Sequence, residues 1–276
     1  MRTDRIAAIW PVREPGAQPA FDPRPPQAPP QRRPRWWGNH VAELRWQLEL
    51  YRLLADPIFR GSGVAHGDGR PLLLLPGFGA GDYTLAVMGL WLKRIGYSPH
   101  GAGFIVNTGC SDEGIQRIER QVGQLHERYG RRVALIGHSR GGHYARAMAR
   151  RRPDLVSHAI ALGANLRQML GISFPTQGVV ALARTVQRLP ARRGTPGCLT
   201  ETCTCSFAND FSRPFPEHLV RLTSVYSKED GVVRWQGCVV PYGECVEITG
   251  SHVGMIFNRK AYRAIAHALS MPELQP

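Results

Sequence analysis

Ser139 lies in the pentapeptide Gly137-His138-Ser139-Arg140-Gly141, directly behind the apolar run Val133-Ala134-Leu135-Ile136. A serine at the join of a strand and a helix, with glycines two positions before and two after, is the sequence form of a nucleophile elbow. The turn is so sharp that the serine backbone is strained and its hydroxyl stands in the open. The glycines leave room where a Cβ would collide with a neighbouring strand or helix. Such a hydroxyl is a weak nucleophile by itself. It needs a histidine to take its proton and an acid to fix that histidine's tautomer and orientation.

In this arrangement the acid and then the histidine follow the serine along the chain, in loops beyond the carboxyl ends of later strands. Asp230 stands in Tyr226-Ser227-Lys228-Glu229-Asp230-Gly231-Val232-Val233, behind a strand-like segment at 220–226. Gly231 lets the chain turn the carboxylate inward. Glu229 is the adjacent competitor, while Asp154 (beside a helix end) and Asp210 (in a later insertion) are more poorly placed. His252 stands in Ile248-Thr249-Gly250-Ser251-His252-Val253-Gly254-Met255, after the last strand-like segment and with glycine on both sides. Of the other histidines, His138 reads as structural, because adjacent residues on the turn point apart, and His143 reads as packing or exposed. Acyl transfer also needs two preorganised N–H donors for the developing oxyanion. The amide of Arg140 is one. Phe78, in the accessible loop Gly77-Phe78-Gly79, is assigned the other by position, and its side chain can also line an acyl pocket.

These residues need a scaffold of alternating strands and helices. Short apolar runs predict strands at 71–75, 101–107, 133–136, 158–162, 220–226 and 245–248. Helical periodicity falls between them at 83–95, 111–129, 142–151 and 259–269. The fold class is therefore α/β, a mostly parallel, doubly wound sheet with helices on both faces. Residues 1–35 are dense in Pro and Arg and are expected to be disordered or extended. Residues 36–276 are expected to form the domain. Val41, Leu44, Leu48, Tyr51, Leu54 and Ala55 recur at helical spacing with Glu43, Arg45 and Glu49 between them, up to Asp56-Pro57. This amphipathic helix is expected to pack on the domain. The alternative is peripheral membrane contact, against which Glu43 and Glu49 count. The interval 164–216 breaks the rhythm with an apolar stretch at 179–189 and a turn-rich 190–205. It reads as a cap or lid, or otherwise as a peripheral insertion.

The net charge of +14 raises nucleic acid as a partner, but the basic residues are scattered in twos and threes and nearly all are arginine. That pattern argues against specific nucleic-acid binding. No apolar stretch approaches the roughly 20 residues that span a bilayer, and 6–10 is too short for a secretory signal, so a cytoplasmic location is expected. Cys110, Cys198, Cys203, Cys205, Cys238 and Cys245 read first as structural thiols, then as a cap disulfide, and last as a zinc site, because no second ligand pair accompanies Cys203-x-Cys205. No metal and no cofactor is expected.

The chain resembles the α/β-hydrolase superfamily, near its bacterial esterase and lipase branch. The resemblance is carried by Leu73-Leu74-Leu75-Pro76-Gly77-Phe78, Gly137-His138-Ser139-Arg140-Gly141-Gly142, Asp230-Gly231-Val232-Val233 and Gly250-Ser251-His252-Val253-Gly254, in family order. It departs from simple lipases in having Pro76-Gly77 where many have His-Gly. The resemblance implies a Ser139–His252–Asp230 triad that cleaves a small-molecule or lipid ester through an acyl-enzyme. The same machinery would serve a thioesterase or an acyltransferase, and a non-catalytic binding protein of this fold is the remaining alternative.

Overall fold

A computed structural model of the protein describes residues 43–169, 181 and 205–275. The strands are β1 (Pro71–Leu75), β2 (Ser98–Gly101), β3 (Val133–His138), β4 (Val156–Leu162), β5 (Arg221–Ser227) and β6 (Glu244–Ile248). They form one sheet in the order β2-β1-β3-β4-β5-β6, with every neighbouring pair parallel. β1, β3 and β4 are buried at every residue, as strands covered on both faces must be. The described α-helices are α1 (Trp46–Ala55), α2 (Ala86–Arg94), α3 (Ser111–Tyr129), α4 (Arg140–Arg151), α5 (Ser206–Ser212) and α6 (Arg259–Ser270).

Successive side chains on a strand point to opposite faces, and this alternation makes two apolar layers. Leu73, Leu75, Leu135 and Ala161 pack with Ile118 and Val122 of α3, Tyr144 and Met148 of α4, and Phe207 and Phe211 of α5. Leu72, Leu74, Ile136 and Leu162 pack on the other side with Leu53 of α1, Trp91 and Leu92 of α2, and Tyr262 and Ile265 of α6. The chain leaves β1 for the edge strand β2 and then crosses back past β1 to β3, so the connections leaving β1 and β3 run in opposite directions. The crevice beyond their carboxyl ends is a topological switch point, where open α/β sheets bind ligands.

Two expectations need correction. The strand expected at 101–107 is β2, Ser98–Gly101, and the chain after it is a loop. Gly103 takes φ 76°, and the Gly103 and Phe104 amides donate to the Asp82 carboxylate at 2.7 and 3.3 Å rather than to a strand. Ile105, which looked like a strand residue, is 86 % exposed. The second correction concerns α1, which is helical as expected but faces the other way. Leu44 and Tyr51 are 67 % and 71 % exposed, and Leu48 and Leu54 are exposed too, whereas Leu53 is fully buried. The packed face is Glu43, Trp46, Glu49 and Leu53, with the Trp46 ring 5.6 Å from that of Phe257. That face combines apolar packing by Trp46 and Leu53 with charge-assisted hydrogen bonds from Glu43 and Glu49 to backbone amides.

Val41, residues 1–35, the stretch at 179–189, most of 164–216, Cys198 and Cys203 lie outside the described residues. Among the described residues, no helix is long and apolar enough to cross a membrane.

Candidate active site

The last residue of β3 is His138, and Ser139 turns the chain into α4 with φ 53° and ψ −119°. Positive φ costs a residue with a Cβ of order 1–3 kcal/mol, so the surroundings must enforce it. They do so by hydrogen bonding, since the Ser139 amide donates to the Leu162 carbonyl at 2.8 Å and the Gly142 amide to the Ser139 carbonyl at 2.9 Å. The glycines let the backbones close up. A Cβ on Gly137 would overlap the Gly141 backbone, and one on Gly141 would overlap the Leu75 carbonyl.

Beyond β5, the Ser227 hydroxyl accepts from the Glu229 amide at 3.0 Å and begins the turn that carries Asp230. Asp230 Oδ1 accepts from the Val232 and Val233 amides at 2.8 and 2.7 Å. Its Oδ2 lies 2.7 Å from His252 Nδ1, and the two side chains are 2 % and 5 % exposed. A carboxylate only accepts, so Nδ1 carries the proton and Nε2 of the neutral ring is left with its lone pair. Burial disfavours a charged His252 ring. The charge and hydrogen bond of Asp230, with the charge of Glu43 behind them, outweigh that burial and raise its pKa above the ordinary 6.5.

His138 links this pair to the serine turn. Its Nε2 donates to the His252 carbonyl at 3.0 Å, and the two rings lie 4.8 Å apart. Burial, aided by repulsion from His252, pushes His138 down to about 3, so it remains neutral. Gly163, in the turn after β4, forms the floor beneath the pair, because a Cβ there would lie 3.1 Å from His252 Nδ1. A Cβ on Gly77, after β1, would lie 3.3 Å from that of Ser139. Turns following β1, β3, β4, β5 and β6 therefore converge on one place.

The loop holding Phe78 is fixed from behind. Asn107 accepts from the Gly79 amide at 3.0 Å, donates from its own amide to Ala80 at 2.8 Å, and donates from Nδ2 to the Pro76 carbonyl at 2.8 Å. The Arg140 guanidinium holds that buttress in turn, donating to the Asn107 carbonyl at 3.1 Å, the Gly109 carbonyl at 2.8 Å and the Ser111 hydroxyl at 2.9 Å. The Phe78 amide donates to no atom of the described residues. The Arg140 amide, at the first position of α4, has no intrahelical carbonyl to reach. Both donors remain available.

The competing residues lie elsewhere. Glu229 is exposed, Asp154 pairs with Arg152 at 2.8 Å, and Asp210 faces Arg151 at 3.5 Å. His143 is buried with its ring edge-on to Phe211 at 5.2 Å, and burial, followed by the Arg140 and Arg146 charges, pushes it down to about 3. Cys238 and Cys245 are free thiols, and burial pushes Cys238 well up. Sequence reasoning missed Asn107, the Arg140 side chain, Glu43 and Glu49. Glu43 and Glu49 were visible only as interruptions in a leucine stripe.

No protein-family model matches the sequence, and no curated protein is significantly similar to it. Solved structures do resemble it. The mature lipase BlEst2 of Bacillus licheniformis is 12% identical with a TM-score of 0.54, covering 76% of this chain and 95% of that one. A monoacylglycerol lipase of Paleococcus ferrophilus is 15% identical with a TM-score of 0.52, covering 73% and 95%. A metagenomic carboxyl esterase is 14% identical with a TM-score of 0.52, covering 83% and 90%. At such identities the likeness is one of architecture, and with this strand order and these crossovers the chain has the α/β-hydrolase fold.

Proposed function

We propose that the protein is a serine hydrolase that cleaves a carboxylic ester through an acyl-enzyme on Ser139. The observation that carries this reading is the buried 2.7 Å contact between Asp230 and His252, packed against the residue next to a serine held at positive φ. Lipases and esterases among the structures of similar fold support the same class of substrate. With Nδ1 tied to Asp230, His252 Nε2 takes the Ser139 proton as the oxygen attacks the ester carbonyl. In this reading the Phe78 and Arg140 amides stabilise the oxyanion, each donor contributing on the order of 10²–10³ in rate. His252 then passes its proton to the departing alcohol. It next activates water, which hydrolyses the acyl-enzyme and frees the serine.

A protonated ring cannot act as the base. The rate therefore rises with pH through the pKa of His252, and the acid limb of kcat/KM lies above the ordinary value of 6.5. The test is hydrolysis of p-nitrophenyl esters of increasing chain length by the wild type and Ser139→Ala. Turnover that falls by about 10⁴-fold or more in the variant supports the reading. A folded wild type inert across the whole series overturns it.

A further inference from the structure

The segment before and through α1 meets the site with carboxylates. Glu43 Oε1 accepts from the His252 amide at 2.9 Å and the Gly231 amide at 3.2 Å, and its Oε2 accepts from the Val253 amide at 2.8 Å. One side chain thus ties the turn that carries Asp230 to the loop that carries His252. Six residues further on, Glu49 Oε1 accepts from the Ser251 amide at 3.1 Å, and its Oε2 accepts from the Ser251 hydroxyl at 3.4 Å. The loop is shaped to admit these groups. A Cβ on Gly254 would overlap Glu49 Oε2, and one on Gly250, at φ 141°, would meet Glu49 Oε1. The glycines on either side of His252 therefore serve to receive a carboxylate from a distant part of the chain.

We propose that Glu43 is a positioning residue for the catalytic histidine, its carboxylate clamping the Asp230 turn and the His252 loop together so that the imidazole keeps its place against the serine turn. The proposal rests on the Ser139–His252–Asp230 reading and adds to it the means by which the two loops hold their separation. Small displacements matter at this point, since an error of about 1 Å in a catalytic group can cost up to 10²-fold in rate. The ionisable groups against His252 are Asp230 from beyond β5, neutral His138 from β3 and Glu43 from the α1 segment, with Glu49 on the neighbouring Ser251. After Asp230, Glu43 is the negative charge that favours the protonated ring. Glu43 therefore acts on both the place and the proton affinity of the base.

The test compares the full-length wild type with Glu43→Gln, using Glu127→Gln, an exposed carboxylate on α3, as a charge-matched control. Glu43→Gln removes the charge and one of the two acceptor oxygens. The expected results are a fall in the His252 ring pKa, read by NMR titration, and a drop in kcat of roughly 10-fold with KM little changed. The acid limb of the rate profile should shift to lower pH by the same amount as the titration. The control should match the wild type in each. A wild-type titration and wild-type kcat in Glu43→Gln would overturn the proposal. If that variant fails to fold, Glu43→Asp is read in its place. There the charge stays and the reach shortens, so kcat must fall, and an unchanged kcat overturns the clamp. If the wild type is inert on esters, the functional reading fails alone, and the ring titration still decides the clamp.

Discussion

Along β3 and α4, the inward-facing side chains are mostly apolar, with His143 and Arg146 as buried polar residues among them. Val133, Leu135 and Ile136 are buried in the sheet, Tyr144 and Met148 anchor the helix, and Ser139 stands at the join. Along residues 43–55 the arrangement is reversed. Leu44, Leu48, Tyr51 and Leu54 face outward while Glu43 and Glu49 face inward onto backbone amides. The first segment is anchored by apolar surface buried on both faces of a sheet, and backbone hydrogen bonds with Leu162 and Gly142 hold its serine at positive φ. The second meets a loop that buries Met255 and Ile256, and it adds acceptors for N–H groups that would otherwise lack them. Within one site, the proposed nucleophile sits on a packed strand–helix join held by backbone hydrogen bonds, and the proposed base is held in addition by charged side chains.

The contrast can be broken at several points. Asp230→Asn leaves the packing intact but removes the charge that fixes the tautomer of His252, and kcat/KM should fall by about 10⁴-fold. Glu229→Gln in the same assay should stay near the wild type, and a larger loss there would mean that the wrong carboxylate has been assigned. Leu53→Ala, on the buried face of α1, should cost about 2–5 kcal/mol in urea denaturation. Gly141→Ala drives a Cβ into the Leu75 carbonyl and should cost about 1–3 kcal/mol. Leu48→Ala, on the same helix as Leu53 but outward-facing, should change stability by less than about 0.5 kcal/mol. A Leu48→Ala cost equal to that of Leu53→Ala would mean that α1 packs by its leucine stripe after all.

Much of the fold could be read from the sequence, for physical reasons. β1, β3 and β4 are near-continuous apolar runs because both of their faces are covered, and α3 shows its buried stripe at Ile115, Ile118, Val122 and Leu125. β2 could not be read, since Ser98-Pro99-His100-Gly101 at the sheet edge carries no apolar signature while the exposed Ile105-Val106 does. The orientation of α1 failed for a related reason. Periodicity shows where the apolar side chains lie on a helix, not which side of it meets the protein. In the site, the meeting of Asp230 with His252 could be anticipated because strand patterning places both in loops beyond the ends of later strands. Asn107, Glu43 and Glu49 could not be, because their partners are main-chain amides and carbonyls, which every sequence has and none displays.

The most direct test of the account is reaction of the wild-type protein with a fluorophosphonate, followed by mass spectrometry of the digested adduct. The account predicts one phosphonyl group on the peptide that contains Ser139, lost in Ser139→Ala and strongly slowed in Asp230→Asn. A folded wild type that does not react, or a label carried by another residue and retained in Ser139→Ala, would contradict it.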